Sequence, residues 1–133
     1  MVESATSADS PRVLVIDDAN LVRLYYRDAL ERAGFIVDEA LNGLEALEKL
    51  LAEPADLLIV DVNMPQMDGL TFLCTLRRQA LPIASIPALM ISTEAGVQDM
   101  EAARSAGANF YLTKPVTQES LAEHVAILCG VRG

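Results

Sequence analysis

The chain of 133 residues has no tryptophan, one histidine and two cysteines, and its 10 lysines and arginines face 19 acidic residues. Each shortage removes a class of function. Duplex nucleic acid calls for clustered Lys and Arg to neutralise phosphates, and a formal charge of -9 without a basic patch argues against it. A protein partner is expected instead. Cys74 and Cys129 lie far apart in separate helical stretches with apolar neighbours, so they read as buried reduced thiols rather than a disulfide or a metal pair. Reduced thiols point to the cytoplasm. The single His124 falls on a helix and reads as a polar-face residue, not a ligand or phosphocarrier. No apolar run approaches the ~20 residues of a membrane span, and residues 1–10 have neither the basic start nor the apolar stretch of a secretory signal. They are expected to be a disordered leader to one domain, 11–133, with no room for an attached effector.

What is present is an alternation. Short β-rich runs at 12–16, 35–39, 56–60, 87–91 and 109–113 are separated by stretches of helical period. The apolar residues of the first two helices recur at three and four, as in Leu21, Leu24, Tyr25 and Leu30, or Leu44, Leu47, Leu50 and Leu51. The third helix is expected over 69–78. Asn42 and Glu45 resemble a capping box, and Gly34 and Gly107 stand where left-handed C-terminal caps would end the first and fourth helices. Five βα units predict a doubly wound α/β fold with five flanking helices, because each right-handed crossover must return over a parallel sheet. Runs 1, 3 and 4 are nearly all apolar and belong in the centre. Runs 2 and 5, with Asp38, Glu39 and Asn109, belong near the edges, and the strand order 2-1-3-4-5 follows.

That order brings acidic residues together. Asp17 and Asp18 close the first run, Asp61 closes the third, and Lys114 follows the fifth. Open parallel sheets bind ligands at the carboxyl ends of their strands, at the switch point, which here lies between strands 1 and 3. Two carboxylates 4 Å apart at an effective dielectric of 20 repel by about 4 kcal/mol. A magnesium ion with two positive charges and Lys114 with one would balance three carboxylates, and oxygen ligands are what that hard cation prefers. The chain turns after strand 1, so one of the adjacent pair Asp17 and Asp18 can bind metal directly and the other through water. Asp61 suits the role of nucleophile towards a phosphoryl group, whose transfer needs mainly positioning and charge neutralisation. One Asp after a strand is ordinarily a turn former, but three at adjacent strand ends are not. Ser92 stands near enough to the end of strand 4 to reach a phosphoryl oxygen, whereas Thr93 reads as a cap for the next helix.

Four ordered segments, Val15 to Asp18, Leu57 to Gly69, Met90 to Ala95 and Gly107 to Pro115, resemble the motifs of the response regulator receiver domain of two-component signalling. The style is closest to stand-alone chemotaxis regulators, and the implied fold is flavodoxin-like. The resemblance implies that Asp61 takes a phosphoryl group from a phosphohistidine of a sensor histidine kinase. Asp18, Asp61 and the backbone carbonyl of Asn63 would ligate Mg2+, with Asp17 acting through water. Lys114 would pair with Asp61 and then with the phosphoryl group. Ser92 matches the switch hydroxyl and Tyr111 the switch aromatic, and the output face would comprise helix 4, strand 5 and helix 5. Asn63 and Glu94 occupy the positions that tune self-dephosphorylation and imply a short-lived acyl phosphate. Departures are Ser rather than Thr at 92, Val116 in place of Phe, and the segment Asp18 to Arg23, so binding to a flagellar switch does not transfer.

Other readings remain open at this point. A phosphorelay intermediate or phosphate sink would use the same residues. An aspartate-nucleophile phosphatase would require a second Asp where Asn63 stands, and a turnover enzyme acting on an external substrate is not expected. A flavodoxin-like flavin carrier is disfavoured, because the chain has no Ser/Thr/Gly-rich phosphate loop after strand 1 and no tryptophan.

Overall fold

The computed structural model describes residues 10–65 and 67–130, so the expected leader lies almost wholly outside the described residues. Five strands alternate with five helices: β1 Arg12–Ile16, α1 Asn20–Arg32, β2 Ile36–Ala40, α2 Gly43–Ala52, β3 Leu57–Asp61, α3 Gly69–Leu76, β4 Ala88–Ser92, α4 Val97–Ala106, β5 Phe110–Thr113 and α5 Gln118–Leu128. A 3-10 turn, Ile83–Ser85, leads into β4. Strands β2 to β5 begin one residue later than the apolar runs suggest. At two of these starts the preceding residue lends its side chain instead: Asp56 accepts the Arg12 N–H at 2.8 Å and Asn109 accepts the Ala88 N–H at 2.8 Å.

All neighbouring strands pair in parallel, in the order β2-β1-β3-β4-β5. Every residue of β3 and β4 is buried, as the lack of alternation in their sequences requires, while β2 and β5 at the edges are half-exposed. One face of the sheet (Val13, Val15, Leu57, Ile59, Leu89, Ile91) packs on α1 and α5, the other (Leu14, Ile16, Leu58, Val60, Met90) on α2, α3 and α4. Each fully buried Leu, Ile or Phe contributes about 1.5–3 kcal/mol of transfer free energy, and Phe72, Leu73 and Leu76 supply three such anchors from α3 alone.

The apolar periodicity misreads the inner face of two helices. Leu21, Leu24 and Tyr25 of α1 are exposed, and the buried residues are Arg23, Tyr26, Ala29 and Leu30. In α2, Leu44 and Leu51 face solvent while Ala46 and Leu50 are buried. Arg23 takes an inward position because three hydrogen-bond acceptors meet it there. Cys74 is also exposed, contrary to expectation: α3 turns Phe72, Leu73 and Leu76 inward and carries Cys74 on its outer side with Thr71. Cys129 is half-buried, and burial pushes its thiol up to about 11.

The helix ends follow their capping residues. Asn42 Oδ1 accepts the Glu45 N–H at 2.8 Å, and Glu45 reaches back to the Leu41 N–H at 2.6 Å, one residue earlier than in a regular capping box. Asp68 and Thr117 cap α3 and α5. Gly107 ends α4 at φ +110°, a conformation that disfavours any residue with a Cβ.

Arg77, just after α3, joins these parts. Its guanidinium donates to the carbonyls of Gly107 (2.6 and 3.1 Å), Ala84 (3.0 Å) and Ile86 (2.7 Å) and to Asn109 Oδ1 (3.0 Å). One side chain thereby ties α3 to the entry of β4 and to the C-terminal end of α4. Truncation leaves several partly buried carbonyls without a donor, so Arg77→Ala is expected to lower stability by about 2–4 kcal/mol. Urea unfolding checks this, and an unchanged midpoint would contradict the assigned role.

Candidate functional site

The register places the acidic residues together. Ile16 pairs with Val60, so Asp17 and Asp61 leave neighbouring strands side by side. Asp17 keeps its backbone in the sheet through an N–H donated to the Ala40 carbonyl at 3.1 Å. Beyond it the chain turns, and carboxylate oxygens of Asp17, Asp18 and Asp61 all lie within 4.8 Å of one another. Asp17 and Asp61 are buried, at 2% and 7% exposure, and Asp18 is exposed.

Lys114 Nζ lies 3.7 Å from Asp61 Oδ1. One ammonium does not offset the burial of two carboxylates. The Asp61 carboxyl is pushed up to about 6, first by burial and next by the negative charge of Asp17, against the pull of Lys114 and of the Asn63 backbone N–H. Asp17 is also raised by burial, although the Ala19 N–H donates to its Oδ1 at 2.9 Å. A pocket of hard oxygen donors short of positive charge fits a divalent cation.

The exit of β3 is crowded by α3. A Cβ on Gly69 would clash with the Asp61 carbonyl oxygen and lie 2.9 Å from Val62 Cα, so a side chain at 69 would displace the strand end that carries Asp61. The Gly69 N–H also donates to the Val62 carbonyl at 2.9 Å.

Ser92 and Tyr111 both meet the backbone of Glu94. Ser92 is fully buried and its Oγ accepts the Glu94 N–H at 3.0 Å. The hydroxyl of Tyr111 donates to the Glu94 carbonyl at 2.8 Å, and the Lys114 N–H donates to the Ser92 carbonyl at 2.7 Å. Thr93 does not cap α4 as expected, because the helix starts later, with Gly96 at the N-cap. His124 is half-buried rather than on a polar face: its Nδ1 is 2.7 Å from the Ser120 carbonyl oxygen, and its ring lies 5.1 Å from that of Phe110.

The response regulator receiver domain family matches residues 13–126. The chain belongs to this family. Among curated relatives, the receiver is 42% identical over 106 residues to a protein-glutamate methylesterase/protein-glutamine glutaminase of Archaeoglobus fulgidus, covering 78% of this chain and 30% of that protein. It is 35% identical to the transcriptional regulatory protein PrrA of Mycobacterium leprae, covering 96% of this chain and 54% of PrrA. The chain thus spans about a third to a half of the curated relatives it matches. Among solved structures, chemotaxis protein CheY4 of Vibrio cholerae superposes with a TM-score of 0.84 at 32% identity, over 90% of this chain and 98% of that one. A response regulator of Thermotoga maritima gives 0.81 at 28% identity, over 91% and 98%. No helix among the described residues is long and apolar enough to cross a membrane.

Two features of the receiver's site escape a sequence reading. Beside Lys114 an apolar groove of about 540 Å³ runs between α1 and the loop after β5, with Leu21, Val22, Tyr25, Tyr26 and Val116 in its walls. The Tyr25 hydroxyl ties those walls by donating to the Val116 carbonyl at 3.1 Å. The other is Arg23, 6% exposed, which contacts the Asp17 backbone. Its only trace in the sequence is a charged residue three before Tyr26, on the face that turns out to be buried.

The raised carboxyls make stability depend on pH with a definite sign. Between about pH 4 and 6 the folded receiver holds a proton on Asp61 that the unfolded chain releases, so stability rises as pH falls through 6. Above 6 the penalty is complete. In metal-free buffer, Asp61→Asn is expected to gain roughly 1–3 kcal/mol at pH 7 and to flatten the slope between pH 4 and 6. Thermal unfolding across pH tests this, and a variant less stable than the wild type at pH 7 would refute it.

Proposed function

We propose that this receiver is a phosphorylation-driven switch in chemotaxis: Asp61 accepts a phosphoryl group from a sensor histidine kinase, and the phosphorylated form signals by binding a protein partner. The observation that carries this reading is Asp61 itself, a buried carboxylate with Lys114 at 3.7 Å and two further carboxylates beside it. The chemotaxis assignment rests on the similarity to CheY4 along 98% of that chain, and on Asn63 and Glu94 at the positions that tune phosphate lifetime.

The transfer balances as a displacement at phosphorus. An Asp61 oxygen attacks, the P–N bond of the phosphohistidine breaks, its electron pair stays on the imidazole nitrogen, and an acyl phosphate forms on Asp61. Asp61 attacks as the carboxylate, the form it holds above pH 6 even without a cation. Asp18, Asp61 and the Asn63 carbonyl would hold Mg2+ directly and Asp17 through water. When bound, the ion neutralises charge on the phosphoryl oxygens. Lys114 then pairs with the phosphoryl group instead of the carboxylate. The groove beside Lys114 offers a helix of the phosphodonor protein an apolar seat within reach of Asp61.

The readout follows from the contacts at Glu94. Phosphorylation replaces one negative charge by about two and adds acceptor oxygens. Ser92 has a proton to donate to one of them, and moving towards it would draw on the Glu94 N–H that Ser92 accepts. Tyr111 holds the carbonyl of the same residue, so it shifts with that segment. Phosphorylation thereby biases an existing equilibrium of α4, β5 and α5. Val97, Met100 and Phe110 leave apolar surface on that face for a protein target.

With magnesium and acetyl phosphate, intact mass is expected to show a phosphoryl adduct on the wild type and none on Asp61→Asn. Absence of the adduct on the wild type under rapid quenching, and of a beryllofluoride complex, would refute the reading. In-line attack of water on phosphorus breaks the P–O bond to Asp61, releases inorganic phosphate with the water's proton and returns the carboxylate, with Asn63 and Glu94 beside the water's approach. We expect decay within seconds to minutes, and slower decay for Asn63→Ala. A wild-type half-life of many hours would contradict the assignment of these two residues.

A further inference from the structure

Arg23 is an unusual occupant for the buried side of a helix. Its guanidinium is enclosed on three sides: Nη1 donates to the Asp17 carbonyl at 2.7 Å, Nη2 to Asn20 Oδ1 at 3.0 Å and Nε to Glu39 Oε1 at 2.8 Å. Glu39 is fixed in turn. Its second carboxylate oxygen accepts from Arg27 Nε at 2.5 Å, and its backbone carbonyl accepts from Lys49 Nζ. Arg27 is itself paired with Glu31 at 2.8 Å. A chain of ionic hydrogen bonds therefore runs from α1 and β2 to the backbone atom that immediately precedes Asp18.

The position of that contact matters more than its strength. Asp17 and Asp18 are consecutive, and an extended strand would send their side chains to opposite faces. They converge on Asp61 only because the backbone turns between them. The Ala19 N–H holds the Asp17 side chain on one side of the turn, and Arg23 holds the Asp17 carbonyl on the other. No other donor is within hydrogen-bond reach of the Asp17 carbonyl among the described residues.

We propose that Arg23, braced by Glu39, is a positioning residue for the cation site: by holding the Asp17 carbonyl and Asn20 it fixes the turn that points both Asp17 and Asp18 at Asp61. Arg23 touches neither the ion nor the phosphoryl group, and it acts through the backbone. This inference rests on the reading of the pocket as a Mg2+ site.

Charge and positioning predict opposite signs, which makes the proposal testable. Arg23 is a cation near a cation site, so by Coulomb attraction and repulsion alone its removal should tighten Mg2+ binding. If it positions the turn, its removal should weaken binding, and loss of a residue that orients metal ligands ordinarily costs about tenfold or more in affinity. The experiment is calorimetric titration of MgCl2 into the full chain at pH 7 for wild type, Arg23→Ala, Arg23→Lys and Glu39→Gln, each with its thermal unfolding midpoint. We expect affinity to fall about tenfold for Arg23→Ala. Arg23→Lys, which keeps the charge but not the three-way fork, should also fall, and Glu39→Gln should fall less. Should Arg23→Ala fail to fold, Arg23→Lys carries the test, because charge alone predicts an unchanged affinity for it and positioning predicts a fall. Variants that bind Mg2+ as tightly as the wild type, or more tightly, while melting lower would overturn the proposal and reduce Arg23 to a stabilising contact. A wild type that binds no Mg2+ would instead overturn the reading of the pocket, and this inference with it.

Discussion

Two buried carboxylates on adjacent strands, with a third beside them and one lysine to face all three, are the constraint around which this molecule is arranged. The folded chain holds them together at a cost that appears as the raised pKa of Asp61. Contacts around the carboxyl edge of the sheet serve to keep that cluster in place. Gly69 lets α3 start against the Asp61 carbonyl, the Ala19 N–H and Arg23 grip the two sides of the turn after β1, and Lys114 reaches in from the loop after β5. The core beneath supplies the free energy that makes such a concentration of like charge tolerable, because β3 and β4 are buried throughout their length.

A pocket short of positive charge is sensitive to anything that changes its charge, which suits a switch better than a rigid binding site. The same argument explains why the neighbouring hydroxyls are arranged around one residue. Ser92 and Tyr111 approach the amide and the carbonyl of Glu94 from different strands, so on the proposed mechanism a pull on one would reach the other over a few bonds. Coupling of this kind needs no long pathway through the core.

Much of this was legible in the sequence, and for a physical reason. Parallel strands bury both faces, so their residues are apolar without interruption, and the polar residue that ends each run marks the edge where ligands bind. Asp17, Asp18, Asp61, Ser92 and Lys114 all stand at such ends, and the strand order followed from which runs contained charge. The illegible parts are those in which a side chain is satisfied by backbone far away in sequence. Arg23 and Arg77 look like surface residues until the carbonyls they bind are known. Leu21 and Tyr25 look like core residues for the converse reason: they share the helical period of a buried face but line a groove that none of the described residues fills. Thr93 was misread as a cap because the loop before α4 is longer than its Ser-Thr start suggests.

The grip of Arg77 on Gly107 gives α4 two unequal ends. Its last turn is tethered to α3 and to the entry of β4, whereas its first residues, from Val97 to Met100, are exposed and have only Gly96 as a cap. A helix of ten residues is about 15 Å long, so a tilt of roughly ten degrees about the tethered end carries the free end through about 2.6 Å. The helix is thus a lever with its fulcrum at Arg77, and the loop that joins it to Ser92 lies at the end that travels farthest. A displacement too small to disturb the sheet becomes, at Val97, a change that a partner's side chain can measure.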